Sequence, residues 1–131
     1  MKKLVQLILA AALVVAGGIA IQPTEAVAAP AGCAAGDACF YKNIAFSGTK
    51  GRMAQCINKF SDYGMNDTTS SLYNAGRYDT LYVYQESNGR GGVETWPKGT
   101  GSIALWFTWN DTISSAYFGS FLGYKGKSKC N

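Results

Sequence analysis

Two hexapeptides, Asn66-Asp67-Thr68-Thr69-Ser70-Ser71 and Asn110-Asp111-Thr112-Ile113-Ser114-Ser115, stand forty-four positions apart and differ at a single residue. Each concentrates oxygen: an amide, a carboxylate, several hydroxyls and the carbonyls of the intervening backbone. A hard cation such as calcium takes six to eight such oxygens at roughly 2.3–2.6 Å. Asn66, Asp67 and Ser70 in one copy, with Asn110, Asp111 and Ser114 in the other, are therefore candidate ligands for two calcium ions. One carboxylate per copy is little ligand charge, which predicts weak binding, with Kd near ~10⁻⁵ to 10⁻³ M. The same letters have plainer uses. Asn-Asp builds an Asx turn, and a serine pair can open a strand with no metal at all. Asn66-Asp67-Thr68 and Asn110-Asp111-Thr112 are also acceptor sequons for N-glycosylation. A sequon accounts for the Asn and Thr but not for the serines that follow.

Other chemistry finds little material. The chain has no histidine, so no Ser–His or Cys–His couple can form. Paired carboxylates could still hydrolyse a glycoside, but only Asp37, Asp62, Asp67, Asp79, Glu86, Glu94 and Asp111 follow the leader, and several serve turns or calcium. The expectation is a protein that is not an enzyme. Trp96, Trp106 and Trp109 could form a sugar-stacking platform. Tryptophans in small sheets are more often core residues, and that is the favoured reading.

The first residues read as an export signal. Lys2 and Lys3 precede an apolar run from residue 7 to 21, and Ala26-Val27-Ala28 supplies a small-x-small cleavage pattern. The run is short for a bilayer and is broken at Gly17-Gly18. The expectation is a signal peptide over 1–28 and one secreted domain over 29–131, extracellular and free of the membrane once processed.

That domain carries ten Lys/Arg and seven Asp/Glu, a net charge of +3. So mild a charge, without a dense basic stripe, argues against nucleic acid as a partner. A monomer is expected. Cys33, Cys39, Cys56 and Cys130 all lie in the exported part, and an even count there reads as two disulfides. Their spacings are not those of a zinc site. Three connectivities are open. A local Cys33–Cys39 loop, leaving Cys56 to hold the tail at Cys130, is the preferred one.

The elements that must position the hexapeptides are short strands. Runs rich in aromatic and β-branched residues fall at 38–42, 52–56, 70–74, 80–85, 92–96, 103–107 and 114–118, divided by Gly, Asn and Asp. This pattern predicts an all-β antiparallel sandwich. The repeat extends beyond the hexapeptides. Residues 41–48 align with 84–91, and Tyr63-Gly64-Met65 aligns with Phe107-Thr108-Trp109. Two units of about forty residues, each too small to bury its own face, would pack as one core.

An aromatic, four residues, a second aromatic, one residue and then glycine is the hairpin signature of the βγ-crystallin superfamily, and Tyr41, Phe46 and Gly48 resemble it in full. Tyr84 and Gly91 repeat it, but Gly89 stands where the second aromatic belongs. Both hexapeptides are similar to the calcium-binding signature of microbial members. The resemblance implies a sandwich of two Greek-key motifs, over about 38–76 and 80–120. It also implies metal ligation by the hydroxyls of Ser70 and Ser114 and the backbone carbonyls of Thr68 and Thr112. Carbonyls near Asn43 and Glu86 would complete the shells.

A second resemblance is narrower. Gly32-Cys33-Ala34-Ala35-Gly36-Asp37-Ala38-Cys39-Phe40-Tyr41, running into Phe46-Ser47-Gly48, is similar to the opening of secreted peptidase inhibitors typified by the Streptomyces metalloproteinase inhibitor. The second close cysteine pair of that type member is missing here. This resemblance implies an extracellular protease, of the metalloprotease class, as partner. Residues 88–92 and 96–99 are the candidate contact loops. A calcium-stabilised structural module without inhibitory role, or a killer-toxin-like antifungal protein that binds cell-wall polysaccharide, are the other readings.

Overall fold

The structure is a computed structural model, described over residues 27–77 and 79–130. The expected signal peptide therefore lies, but for its last two residues, outside the described residues. Eight strands form: β1 (Ala38–Asn43), β2 (Ser47–Met53), β3 (Cys56–Ile57), β4 (Ser71–Asn74), β5 (Leu81–Glu86), β6 (Arg90–Trp96), β7 (Gly101–Ser102) and β8 (Ser115–Phe118). They make two four-stranded antiparallel sheets, ordered β2-β1-β4-β7 and β3-β8-β5-β6. Strands β1 to β4 and β5 to β8 are the two copies of the repeat. In each copy the third strand leaves its own sheet and pairs with the fourth strand of the other copy, β3 on β8 and β7 on β4. This exchange makes the two copies one folding unit. Neither sheet is complete without a strand from the other half.

The core between the sheets draws on both copies. Phe40, Met53, Ile57, Phe60, Met65 and Leu72 pack with Leu81, Val83, Trp96, Leu105, Ile113, Ala116 and Phe118. The central strands β4 (Ser-Leu-Tyr-Asn) and β8 (Ser-Ala-Tyr-Phe) are buried at every position. They lie between neighbours on both sides, so their serines and asparagine are sheltered and must find partners within the protein.

Two sequence-based expectations need correction. Residues 52–56 do not form one strand. β2 runs to Met53, the chain bends at Ala54-Gln55, and Cys56-Ile57 crosses to the other sheet. Residues 103–107 are not a strand either. The sheet ends at Ser102, and Ile103 to Phe107 is a loop in which only Leu105 is buried. The run is apolar at every position and lacks the alternation a half-buried strand requires.

Disulfides join Cys33 to Cys39 and Cys56 to Cys130. The second anchors a tail built of two 3₁₀ segments, Gly119–Tyr124 and Ser128–Cys130. The tail packs over Tyr84 and Tyr117 in a second apolar cluster with Cys56 and Cys130. It also resolves the departure at Gly89. In the first hairpin Phe46 packs at a tilt against Tyr41, with ring centroids 5.5 Å apart. In the second, a Cβ on Gly89 would meet Lys125 Cδ at 2.5 Å, and the Lys125 ammonium sits 4.4 Å from the Tyr84 ring centroid. The lysine stem and its cation take the place of the missing aromatic.

Candidate functional site: the crossed hexapeptides

Each hexapeptide begins on a strained corner. Asp67 and Asp111 have φ of 49° and 54°, a left-handed conformation that Asp and Asn tolerate better than most residues. Their amides reach across to the other copy. Asp67 N donates to Ile113 O at 3.2 Å, and Asp111 N donates to Thr69 O at 3.0 Å. The side chains cross as well. Ser114 Oγ donates to Asp67 Oδ1 at 3.0 Å, and Ser70 Oγ donates to Asp111 Oδ1 at 3.3 Å. The two corners thus interlock, with the carboxylate of one copy placed on the hydroxyl of the other. Asn66 and Asn110 donate from their amides to the remaining oxygens of Asp67 and Asp111.

The closing serines have a different task. Ser71 Oγ donates to Asn43 O at 2.7 Å and accepts from Phe46 N at 3.1 Å. Ser115 Oγ donates to Glu86 O at 2.6 Å and accepts from Gly89 N at 3.0 Å. Each therefore staples its own copy's hairpin to the strand that follows the hexapeptide. The same positions explain the hairpin residues. Phe46 and Gly89 both have positive φ, 54° and 68°, and only glycine takes that conformation without strain. A bulky residue there costs about 1–3 kcal/mol, offset in Phe46 by its tilted packing on Tyr41 and an edge contact to Tyr73.

The oxygens suit a hard cation held loosely. Two ligands on one calcium lie roughly 2.8–3.5 Å apart when they share a polyhedron edge, and the Asp67–Ser114 and Asp111–Ser70 pairs fall in that span. The Thr68 and Thr112 hydroxyls are turned back onto Met65 O and Thr108 O, so what these residues offer an ion is a backbone carbonyl. Asn43 and Glu86 offer carbonyls already engaged by Ser71 and Ser115. Among the described residues no three His, Cys, Asp or Glu side chains converge. The donor set is one carboxylate plus neutral oxygens at each crossing, which is calcium chemistry and not that of zinc or copper.

Sequence reasoning named both aspartates as candidate ligands without pairing either with a particular serine. In the structure each accepts a hydrogen bond from the serine of the other hexapeptide, a pairing that the strand exchange brings about. The contact-loop candidates differ in their surroundings. In 88–92, Asn88 N donates to Asn58 O at 2.8 Å and Gly89 lies against Lys125 of the tail, while residues 90–92 are exposed. Residues 97–99 remain an exposed turn. The most exposed apolar side chains are elsewhere: Phe107 is 90% and Trp106 68% exposed, beside Ile103. Trp96 is buried and Trp109 packs on the core, whereas Trp106 does neither. The sequence held a signal for this: from residue 99 to 110 there is no charged side chain.

Comparison with known proteins places these features in a family. The model of peptidase inhibitor family I36 matches residues 26–96, more than half of the chain. No curated protein is a sequence match. Among solved structures, a βγ-crystallin domain from Flavobacterium johnsoniae is 26% identical, with 62% of this chain and 91% of that chain covered at a TM-score of 0.52. A βγ-crystallin from Ciona intestinalis is 19% identical, with 63% and 99% covered at a TM-score of 0.57. A βγ-crystallin domain from Clostridium beijerinckii is 21% identical, with 63% and 95% covered at 0.53. The fold is that of the βγ-crystallins, and the tail after residue 118 lies beyond the paired Greek keys.

Proposed function

Because the chain belongs to peptidase inhibitor family I36, we propose that it is a secreted, calcium-stabilised inhibitor of an extracellular peptidase, processed after Ala28 to a single domain of two Greek-key motifs, over about 38–76 and 80–120. The family and the crystallin fold point to a non-catalytic protein. The family match is the observation that carries the inhibitory reading. The architecture supports it: two disulfides, exchanged strands and stapled hairpins hold surface loops in fixed conformations. A preorganised loop binds a protease cleft with little ordering cost and resists the motion that cleavage requires.

Calcium enters through the crossed aspartate–serine pairs. An ion at either crossing would take Asp67 with Ser114, or Asp111 with Ser70, and the carbonyl of Thr68 or Thr112. Bound there, calcium supplies positive charge that bridges the two copies. The partner is expected to be a peptidase of the metalloprotease class. The test is an inhibition assay at low molar ratio against extracellular metallopeptidases and serine peptidases, with and without calcium. Inhibition at low molar ratio by protein that stays intact supports the reading, and rapid digestion with no inhibition of either class sinks it. The exposed Trp106 is the one observation that favours a polysaccharide ligand instead, because an exposed indole stacks on sugar rings.

A further inference from the structure

The internal repeat provides its own control. After the third strand of each copy comes a loop hung on the fifth-position serine of a hexapeptide: Phe60 N donates to Ser114 O at 2.9 Å, and Leu105 N donates to Ser70 O at 2.8 Å. Phe60 and Leu105 are the buried anchors. Beyond the anchors the copies diverge. The first loop continues as a 3₁₀ turn through Ser61-Asp62-Tyr63, and the second, one residue shorter before its hexapeptide, continues Trp106-Phe107. Trp106 packs on neither apolar cluster, so its indole is not a requirement of the fold.

The two poles of the molecule are also treated differently. At one, Asn88 N donates to Asn58 O; at the other, in equivalent positions, Ala45 N donates to Ile103 O at 2.6 Å. The first pole is polar and is sealed by the tail, where Asn58 takes hydrogen bonds from Tyr117 and Gly126 and gives one to Lys127 O. The second pole has no such cover among the described residues. It presents Ile44 (60% exposed), Ile103 (55%), Trp106 (68%) and Phe107 (90%) from two adjoining loops.

Resting on the family reading, we infer that the loop from Ile103 to Trp109 is the peptidase-binding element, with Trp106 and Phe107 entering a cleft that takes bulky apolar side chains. Three features fit this partner. The segment 99–110 is uncharged, so burying it in a cleft desolvates no ion. Its backbone is fixed at Ile103, Leu105, Trp106 and Thr108 by hydrogen bonds to Ala45, Ser70, Trp109, Asn110, Gln85 and Thr112. Tryptophan and phenylalanine are the kind of rigid anchors that dominate such interfaces. The loop hangs from Ser70 and runs directly into Asn110, so calcium at the crossings would stiffen it.

The experiment compares the full protein with Trp106→Asp/Phe107→Ser, which copies the polar character of the first loop, and with Lys59→Ala, an exposed position in that first loop. Inhibition is measured on a metallopeptidase and a serine peptidase that both cleave beside bulky apolar residues, with melting temperature as the folding control. Loss of inhibition by 100-fold or more in the double variant, at unchanged melting temperature and with Lys59→Ala unaffected, is the expected result. Undiminished inhibition by the double variant overturns the assignment while leaving the family reading intact. If the unaltered protein inhibits neither enzyme, the family reading itself fails and the assignment with it. Retention on insoluble glucan or chitin, or a dimer in sedimentation, that the double variant abolishes without loss of inhibition also overturns the assignment.

Discussion

The carboxylate of Asp67 accepts a hydrogen bond from the hydroxyl of Ser114 at 3.0 Å, across forty-seven residues of sequence. Its mirror, Asp111 with Ser70, spans forty-one. Neither hexapeptide makes these contacts alone. Each carries half of two crossings, and the strand exchange that completes the sheets also brings the halves together.

Substitution at one crossing should therefore halve the calcium stoichiometry. Asp67→Asn removes the carboxylate that faces Ser114 but leaves Asp111 with Ser70. If both crossings bind calcium as proposed, calorimetric titration should find two sites in the unaltered protein and one in the variant. Loss of both sites, or of neither, would show that the aspartates do not work across copies.

Thr69 is fully buried and its hydroxyl has no partner among the described residues. The equivalent residue of the other hexapeptide is Ile113, also fully buried. Thr69→Val keeps the shape and removes an unsatisfied hydroxyl, so it should stabilise the protein by about 1 kcal/mol. Chemical denaturation reads this directly, and a destabilised variant would mean that the hydroxyl has a partner.

The Cys56–Cys130 bridge closes a loop with a sequence separation of 74, against 6 for Cys33–Cys39. Loop entropy makes the first worth about 4 kcal/mol and the second about 2. Replacing Cys56 and Cys130 by serine should also loosen the tail and uncover Tyr84. Hydrogen exchange at 119–130 should rise more than at β1 and β2. Lys125→Ala tests the same contact more gently, with an expected loss of about 1 kcal/mol.

Alkaline pH should weaken the fold through Tyr117 and Tyr41. Burial raises both phenols above their ordinary value of 10.0, so the folded state holds these protons more tightly than the unfolded chain. Their contribution is complete below about pH 10 and is lost as pH rises through the folded-state values. With no histidine in the chain, no step is expected between pH 5 and 8. Melting curves from pH 6 to 11 check both halves, and Tyr117→Phe should flatten the alkaline limb.

Much of the architecture was legible because aromatics and glycines recur with the duplication. Tyr41, Phe46 and Gly48 marked the first hairpin, and the serine pairs marked the strands that follow. The crossing was not legible, because a sequence shows Asp67 beside Ser70 and gives no sign that β3 and β7 change sheets. Trp106 was misread for a related reason. An apolar run without alternation reads as a strand or core until the anchor is known, and Leu105 fills that place. Lys125 opposite Gly89 is a contact over thirty-six residues that no local pattern encodes.

The most direct test of the account is thermal unfolding of the protein in calcium and in chelator. Calcium at ten times Kd should contribute roughly 1.4 kcal/mol per site, and two sites should raise the midpoint of a domain of about 100 residues by several degrees. The account predicts that rise, and predicts its disappearance when Asp67 and Asp111 are both replaced by asparagine. An unchanged midpoint at millimolar calcium would contradict it and leave the crossed hexapeptides as a hydrogen-bonded clasp alone.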